Sequence, residues 1–179
     1  LCGPLPSGAR VLDPFCGTGV VLQEAALMGY KPYGTDIDER MIKYSQKNLA
    51  KIAPVDLAVG DATIMTWQPP IDAVASEIYL GPPLDHVPTD VELGELQHEI
   101  SSLLIKFLKN LSGQIQSGTP VTLAIPSWLR PDGSYQKLRA VDEISDLGYN
   151  VKRYQAATDL LYHREGQVVA RQIIRLRKK

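Results

Sequence analysis

The sequence lacks an excess of charge: 19 lysines and arginines stand against 20 aspartates and glutamates, for a net charge of −1. There is thus no overall basic field of the kind that marks an autonomous nucleic-acid binder. Cysteine is nearly absent too. Cys2 and Cys16 are too few for a disulfide framework, which excludes the stapled secreted class and makes a reducing cytoplasm the expected setting. No apolar run approaches the roughly 20 residues that cross a bilayer, and no signal peptide is visible, so no membrane association is expected. Histidine and cysteine never fall at metal-ligand spacing, and no metal is expected. Internal repeats and low-complexity tracts are missing as well. Leu1 is not an initiator methionine, and the Pro/Gly-rich residues 1–8 carry no periodicity. They read as the end of a linker from a missing N-terminal region, with residues 1–179 forming one domain.

What is present is alternation. Short apolar runs at 10–15, 31–37, 55–62, 71–79 and 119–128 read as strands. Amphipathic stretches at 20–30, 38–52, 91–111 and 134–149 read as helices. Asp38 is placed to cap the second helix, and Thr89 with Glu92 stands at capping-box spacing before the third. Two β-rich runs joined at Arg164-Glu165-Gly166 predict a closing hairpin. Alternating β and α units predict an α/β, doubly wound, mostly parallel sheet, to which the hairpin adds an antiparallel strand. Such sheets bind ligands beyond the carboxyl ends of their strands, so the residues that end strands 1 to 4 are the informative ones.

The first strand ends in Asp13-Pro14-Phe15-Cys16-Gly17-Thr18-Gly19. Gly17 and Gly19 allow a tight turn and a close backbone approach, and the following helix offers free N–H groups. A dinucleotide is disfavoured: Leu22 stands where the third glycine of G-x-G-x-x-G would be, and Asp13 at the strand end suits a cationic ammonium better than a pyrophosphate. Asp36 follows at the spacing of an acid that accepts from ribose hydroxyls, with Ile37 beside it to pack on an adenine. Asp61 either accepts from an adenine amino group, with the Ala62 N–H donating to the ring, or caps the next short turn. Together these residues describe a pocket for a phosphate-free adenosine with a charged amino-acid tail, which is S-adenosyl-L-methionine.

Strand, Asp-Pro-Phe-Cys-Gly-Thr-Gly, helix, then Gly-Thr-Asp-Ile-Asp and Gly-Asp-Ala resembles the class I methyltransferases. The Pro-Phe-Cys is similar to the branch that methylates exocyclic amines of nucleic-acid bases. Within it, the sequence resembles the tRNA guanosine-N2 methyltransferases, whose catalytic domain usually follows a THUMP RNA-binding domain. The resemblance implies a Rossmann-like fold with a seven-stranded sheet. It also implies an RNA partner, tRNA above all, and a cofactor site made of Asp13, Phe15, Gly17, Thr18, Gly19, Asp36, Ile37, Asp61 and Ala62.

That family carries acid-Pro-Pro-aromatic at the end of strand 4, where this chain reads Ser76-Glu77-Ile78-Tyr79-Leu80-Gly81-Pro82-Pro83. Matching acid to acid puts Glu77 at the catalytic carboxylate, with either Leu80 or, shifted by one residue, Tyr79 at the stacking aromatic. Glu77 and Tyr79 are the expected catalytic pair. The departure leaves a DNA amino-methyltransferase, a methylase of another acceptor, or a cofactor-binding module without catalysis as alternatives. Trp128 either lines the substrate mouth or packs. Arg164 and Arg171, at positions the family often keeps basic, either touch phosphate or are solvated.

Overall fold

The computed structural model describes residues 2–152 and 160–179; part of the first predicted hairpin run, 151–163, lies outside them. Residues 10–129 follow the predicted alternation: β1 (Arg10–Asp13), α1 (Val20–Leu27), β2 (Lys31–Asp36), α2 (Glu39–Leu49), β3 (Asp56–Val59), β4 (Ala73–Glu77), α3 (Asp90–Ser112) and β5 (Pro120–Leu129). Asp38 caps α2 by accepting from the Arg40 N–H, and Thr89 and Glu92 form the full capping box of α3. Gly166, at φ 76°, turns the hairpin between β8 (Leu161–Tyr162) and β9 (Val169–Lys178).

Residues 134–149 depart from the predicted α-helix. Asp132 accepts from the Ser134 N–H in a Pro-Asp-Gly-Ser turn. The turn sends β6 (Tyr135–Lys137) back antiparallel along the end of β5, and a 3₁₀ helix (Arg139–Leu147) follows. The apolar positions explain the outcome. Leu138, Val141, Ile144 and Leu147 recur every three residues, the period of a 3₁₀ turn, so all four fall on the side that packs into the core. β7 (Tyr149–Val151) follows the 3₁₀ helix and precedes β8 in the chain.

Among the described residues seven strands lie side by side in the order β3-β2-β1-β4-β5-β9-β7, and β6 and β8 add short pairings to β5 and β9, for nine strands in one sheet. Strands β1 to β5 run parallel, and β9 inserts antiparallel between β5 and β7. One face packs on α3 and the 3₁₀ helix, with Leu12, Val74 and Leu123 from the sheet meeting Ile100, Leu104, Phe107 and Leu108. Each fully buried leucine of this layer contributes roughly 1.5–3 kcal/mol. The other face carries α1 and α2 over two smaller clusters, around Ala25 and around Leu22 with Leu49. The strand order reverses beside β1, so its loop faces the crevice between the β2 and β4 ends.

Candidate active site

The loop after β1 is held from below by backbone and by α2. The Cys16 N–H donates to the Thr35 carbonyl at 2.9 Å, the buried Ser45 hydroxyl donates to the Gly17 carbonyl at 2.9 Å, and Asn48 donates to the Thr18 carbonyl at 2.9 Å. Gly19, at φ 89°, has no room for a side chain, since a Cβ would lie 2.8 Å from Ser45 Oγ. Gly17, at φ 51°, is the opposite case: a Cβ there would meet nothing within 4 Å, so the outer side of the loop is open for a ligand. Leu22, at the position of the missing third glycine, is fully buried and packs over Gly34, where a Cβ would come within 2.4 Å of Leu22 Cδ1. The small residue that lets helix and sheet approach thus lies on β2 instead of α1.

Three acids end the neighbouring strands in three different states. Asp13 is buried, and its Oδ1 accepts from the Ser76 hydroxyl at 2.5 Å and the Phe15 N–H at 3.2 Å. Burial, which outweighs these hydrogen bonds, pushes its pKa up to about 7, with Asp36 and Glu77 adding repulsion. The expected free acid at the strand end is therefore a sequestered one that keeps its proton until near neutrality. Asp36 uses its oxygens separately, Oδ2 accepting from the Gly17 N–H and Oδ1 from the Asp38 N–H, both at 2.9 Å. It ties the glycine loop to the start of α2 and keeps lone pairs for a ligand. Asp61 caps the next turn, its Oδ1 accepting from the N–H and hydroxyl of Thr63, both at 2.8 Å.

Among the described residues, two cavities open at these strand ends. The first, about 790 Å³, is lined by Phe15, Asp36, Ile37, Asp61, Ala62, Glu77 and Tyr79. Its far wall is the polar face of α3, where His98, Ser102 and Lys106 recur every four residues beside Glu99 and Leu103. The second, about 500 Å³, is lined by Asp13, Phe15, Gly17, Thr18, Glu77, Tyr162, Arg164 and Arg171. Phe15 and Glu77 belong to both. Phe15 is braced edge-on against Phe107, at 5.2 Å between ring centroids. Asn110 of α3 donates to the carbonyls of Ala62 and Met65, fixing the loop that carries Asp61 and Ala62.

At the end of β4, alternation decides which side chains reach the cavities. Ile78 is 2% exposed and its N–H still pairs with the Ala124 carbonyl of β5, so Glu77 and Tyr79 on either side of it are both exposed into the first cavity. Burial and Glu99 hold the Tyr79 phenol above its ordinary pKa. Arg171 Nε donates to Glu77 Oε2 at 3.1 Å. Trp128, by contrast, is fully buried and belongs to the core, not to a substrate mouth.

Strand order, glycine loop and strand-end acids define a Rossmann-like domain of the class I methyltransferase type. The chain belongs to the methyltransferase domain family, whose match covers residues 5–115. Among curated relatives, a tRNA (guanine(10)-N2)-dimethyltransferase of Methanothermobacter thermautotrophicus is 30% identical over 125 residues, 69% of this chain and 34% of that protein. A tRNA (guanine(10)-N2)-dimethyltransferase of Pyrococcus abyssi is 51% identical over 56 residues, 30% of this chain and 17% of that protein. The chain thus spans about a third or less of the length of these relatives. Among solved structures, TrmN from Thermus thermophilus superposes with a TM-score of 0.69 at 21% identity, over 96% of this chain and 44% of that one. Magnesium protoporphyrin IX methyltransferase from Synechocystis, solved with bound SAM, gives 0.63 at 19% identity, over 96% and 71%. At these identities the likeness shows the fold. Among the described residues no cluster of His, Cys, Asp and Glu could hold a metal, and no helix is long and apolar enough to cross a membrane.

Proposed function

We propose that this domain transfers a methyl group from S-adenosyl-L-methionine to an exocyclic amine of a nucleic-acid base, and that guanosine in tRNA is the acceptor. The observation that carries the reading is the meeting of Glu77 and Tyr79 in one cavity with Asp36, Ile37 and Asp61. The residues fit the cofactor. Asp36 and Asp61 offer acceptors to ribose and adenine, Ile37 an apolar face, Ala62 an N–H, and the open loop at Gly17 and Thr18 room for the amino-acid tail. The acid Asp13 beside Phe15 suits a cation. The cofactor supplies an electrophilic methyl group carried on a sulfonium.

The chain's own residues have a harder task with the acceptor, because the lone pair of an exocyclic amine is delocalised into its ring. Glu77 accepts a hydrogen bond from the amine and holds the nitrogen in line, and Tyr79 stacks on a base taken out of its helix. Glu99, His98, Ser102 and Lys106 give the same cavity polar contacts for the base edge. The names of the two curated relatives support tRNA guanosine as the acceptor. A near-neutral domain fits this substrate best if an RNA-binding region of a longer protein supplies the backbone contacts, in the setting of the cytoplasm.

The test is transfer of labelled methyl to total tRNA, DNA and protein in parallel. Label in tRNA, located on guanosine N2, is the expected result. Label only in DNA or protein would replace the acceptor, and no label despite cofactor binding would make the chain a binding module.

Asp13 adds a pH dependence whose sign is fixed. Its folded pKa of about 7 lies above the ordinary 3.8, so the protonated form favours the fold. That contribution is complete below 3.8 and is lost as pH rises to about 7. A bound cation favours the ionised form, so cofactor binding at pH 6 is expected to release close to one proton and to tighten toward neutrality. Calorimetry in buffers of different ionisation enthalpy measures the release, and Asp13→Asn is expected to abolish it.

A further inference from the structure

Arg171 and Glu77 lie 94 positions apart in sequence and two strands apart in the sheet. The register brings them together. Glu77 of β4 stands opposite Ala124 of β5, and Ala124 stands opposite Ile173 of β9. Arg171, two residues before Ile173, projects from the same side of β9. Two strand spacings separate β4 from β9 by about 10 Å, a gap that a long side chain closes only if nothing large rises from the strand between. Ala124 is that low point, and Ala124, Ile173, Arg171 and Glu77 line the second cavity together. At the far end the guanidinium is fixed as well, with Arg171 Nη1 donating to Gln167 Oε1 at 3.1 Å.

Resting on the acceptor reading above, we propose that Arg171 is the positioning residue for Glu77. It takes Oε2 through Nε and so leaves Oε1 as the oxygen presented to the acceptor amine. A glutamate is one methylene longer than an aspartate, and Ile78 and Tyr79 do not give the rigid path that two prolines would. The Gln167–Arg171–Glu77 chain restores that rigidity from across the sheet. Stability does not explain the pair. With 21% of the Arg171 side chain and 45% of the Glu77 side chain exposed, it belongs with ion pairs of little measurable worth to the fold. Its worth lies in geometry, because a misplacement of about 1 Å at a reacting group already slows a reaction about 100-fold.

The experiment compares wild type, R171M, E77Q and the double variant in methyl transfer to tRNA. Circular dichroism melts and S-adenosylhomocysteine calorimetry serve as controls for folding and cofactor binding. R171M is expected to lower kcat about 10- to 100-fold, to move KM for tRNA less than about threefold, and to leave the melt and the cofactor Kd unchanged. Because Arg171 acts through Glu77, adding R171M to E77Q is expected to cost less than about twofold more. A rise in KM with kcat preserved would make Arg171 a phosphate contact and overturn the proposal, as would full additivity in the double variant. An active wild type with an equally active R171M overturns the role of Arg171 alone. A wild type that methylates no tRNA overturns the acceptor reading and this proposal with it.

Discussion

Asp36→Ala is expected to weaken S-adenosylhomocysteine binding by about 100-fold or more, the largest effect of any single substitution on the cofactor site. Hydrogen bonds to a charged group are worth roughly 1.5–3 kcal/mol each, and two ribose hydroxyls lose theirs together. At about 1.4 kcal/mol per tenfold, that loss alone spans two decades or more. The same change removes the acceptor of the Gly17 and Asp38 N–H groups, so the loop loses its tie to α2 at the point where the ligand rests. Asp36→Asn separates the two causes, since its amide keeps one acceptor oxygen but turns an N–H toward one of the two backbone donors. Calorimetry on wild type and both variants measures the series. Equal binding by wild type and Asp36→Ala would remove the ribose assignment.

Glu77→Gln is expected to lower kcat for methyl transfer to tRNA by about 100- to 1,000-fold, with cofactor affinity unchanged. Positive charge develops on the acceptor nitrogen as the methyl group arrives, and a preorganised carboxylate stabilises it in a way a neutral amide does not; removal of one such group costs about that factor elsewhere. Single-turnover rates with saturating tRNA isolate the chemical step. An unchanged rate would leave Glu77 a strand-end acid without a part in the reaction.

The strand-end acids and the glycine loop were legible because each depends on local spacing along a βα unit, which the chain displays directly. Caps such as Asp38 and Thr89 were legible for the same reason. Partners brought from a distance were not. Ser45 and Asn48 read as ordinary α2 residues until the fold sets them under the loop carbonyls. His98, Ser102 and Lys106 become a cavity wall only once β3 and β4 are set against them. Their spacing of four was a visible signal, but a polar row on a helix has no meaning before its neighbour is known. Asp13 was found in sequence while its state was not, since burial and Ser76, 63 residues away, decide whether it carries charge. The 3₁₀ segment departs from the expected α-helix because apolar residues three apart satisfy both helix types over a short span, and because the Pro-Asp-Gly-Ser turn opens a strand.

The position of β9 has a consequence for the order in which the domain comes into being. It is synthesised after both β5 and β7 yet lies between them, so a nascent chain that has already made every strand-end acid still has an open β5 edge and an unguided Glu77. Until β9 has left the ribosome, that edge must be kept from pairing with other strands. Completion of the sheet and pairing of Glu77 with Arg171 are then a single event, and a chain halted before Arg171 is left without either.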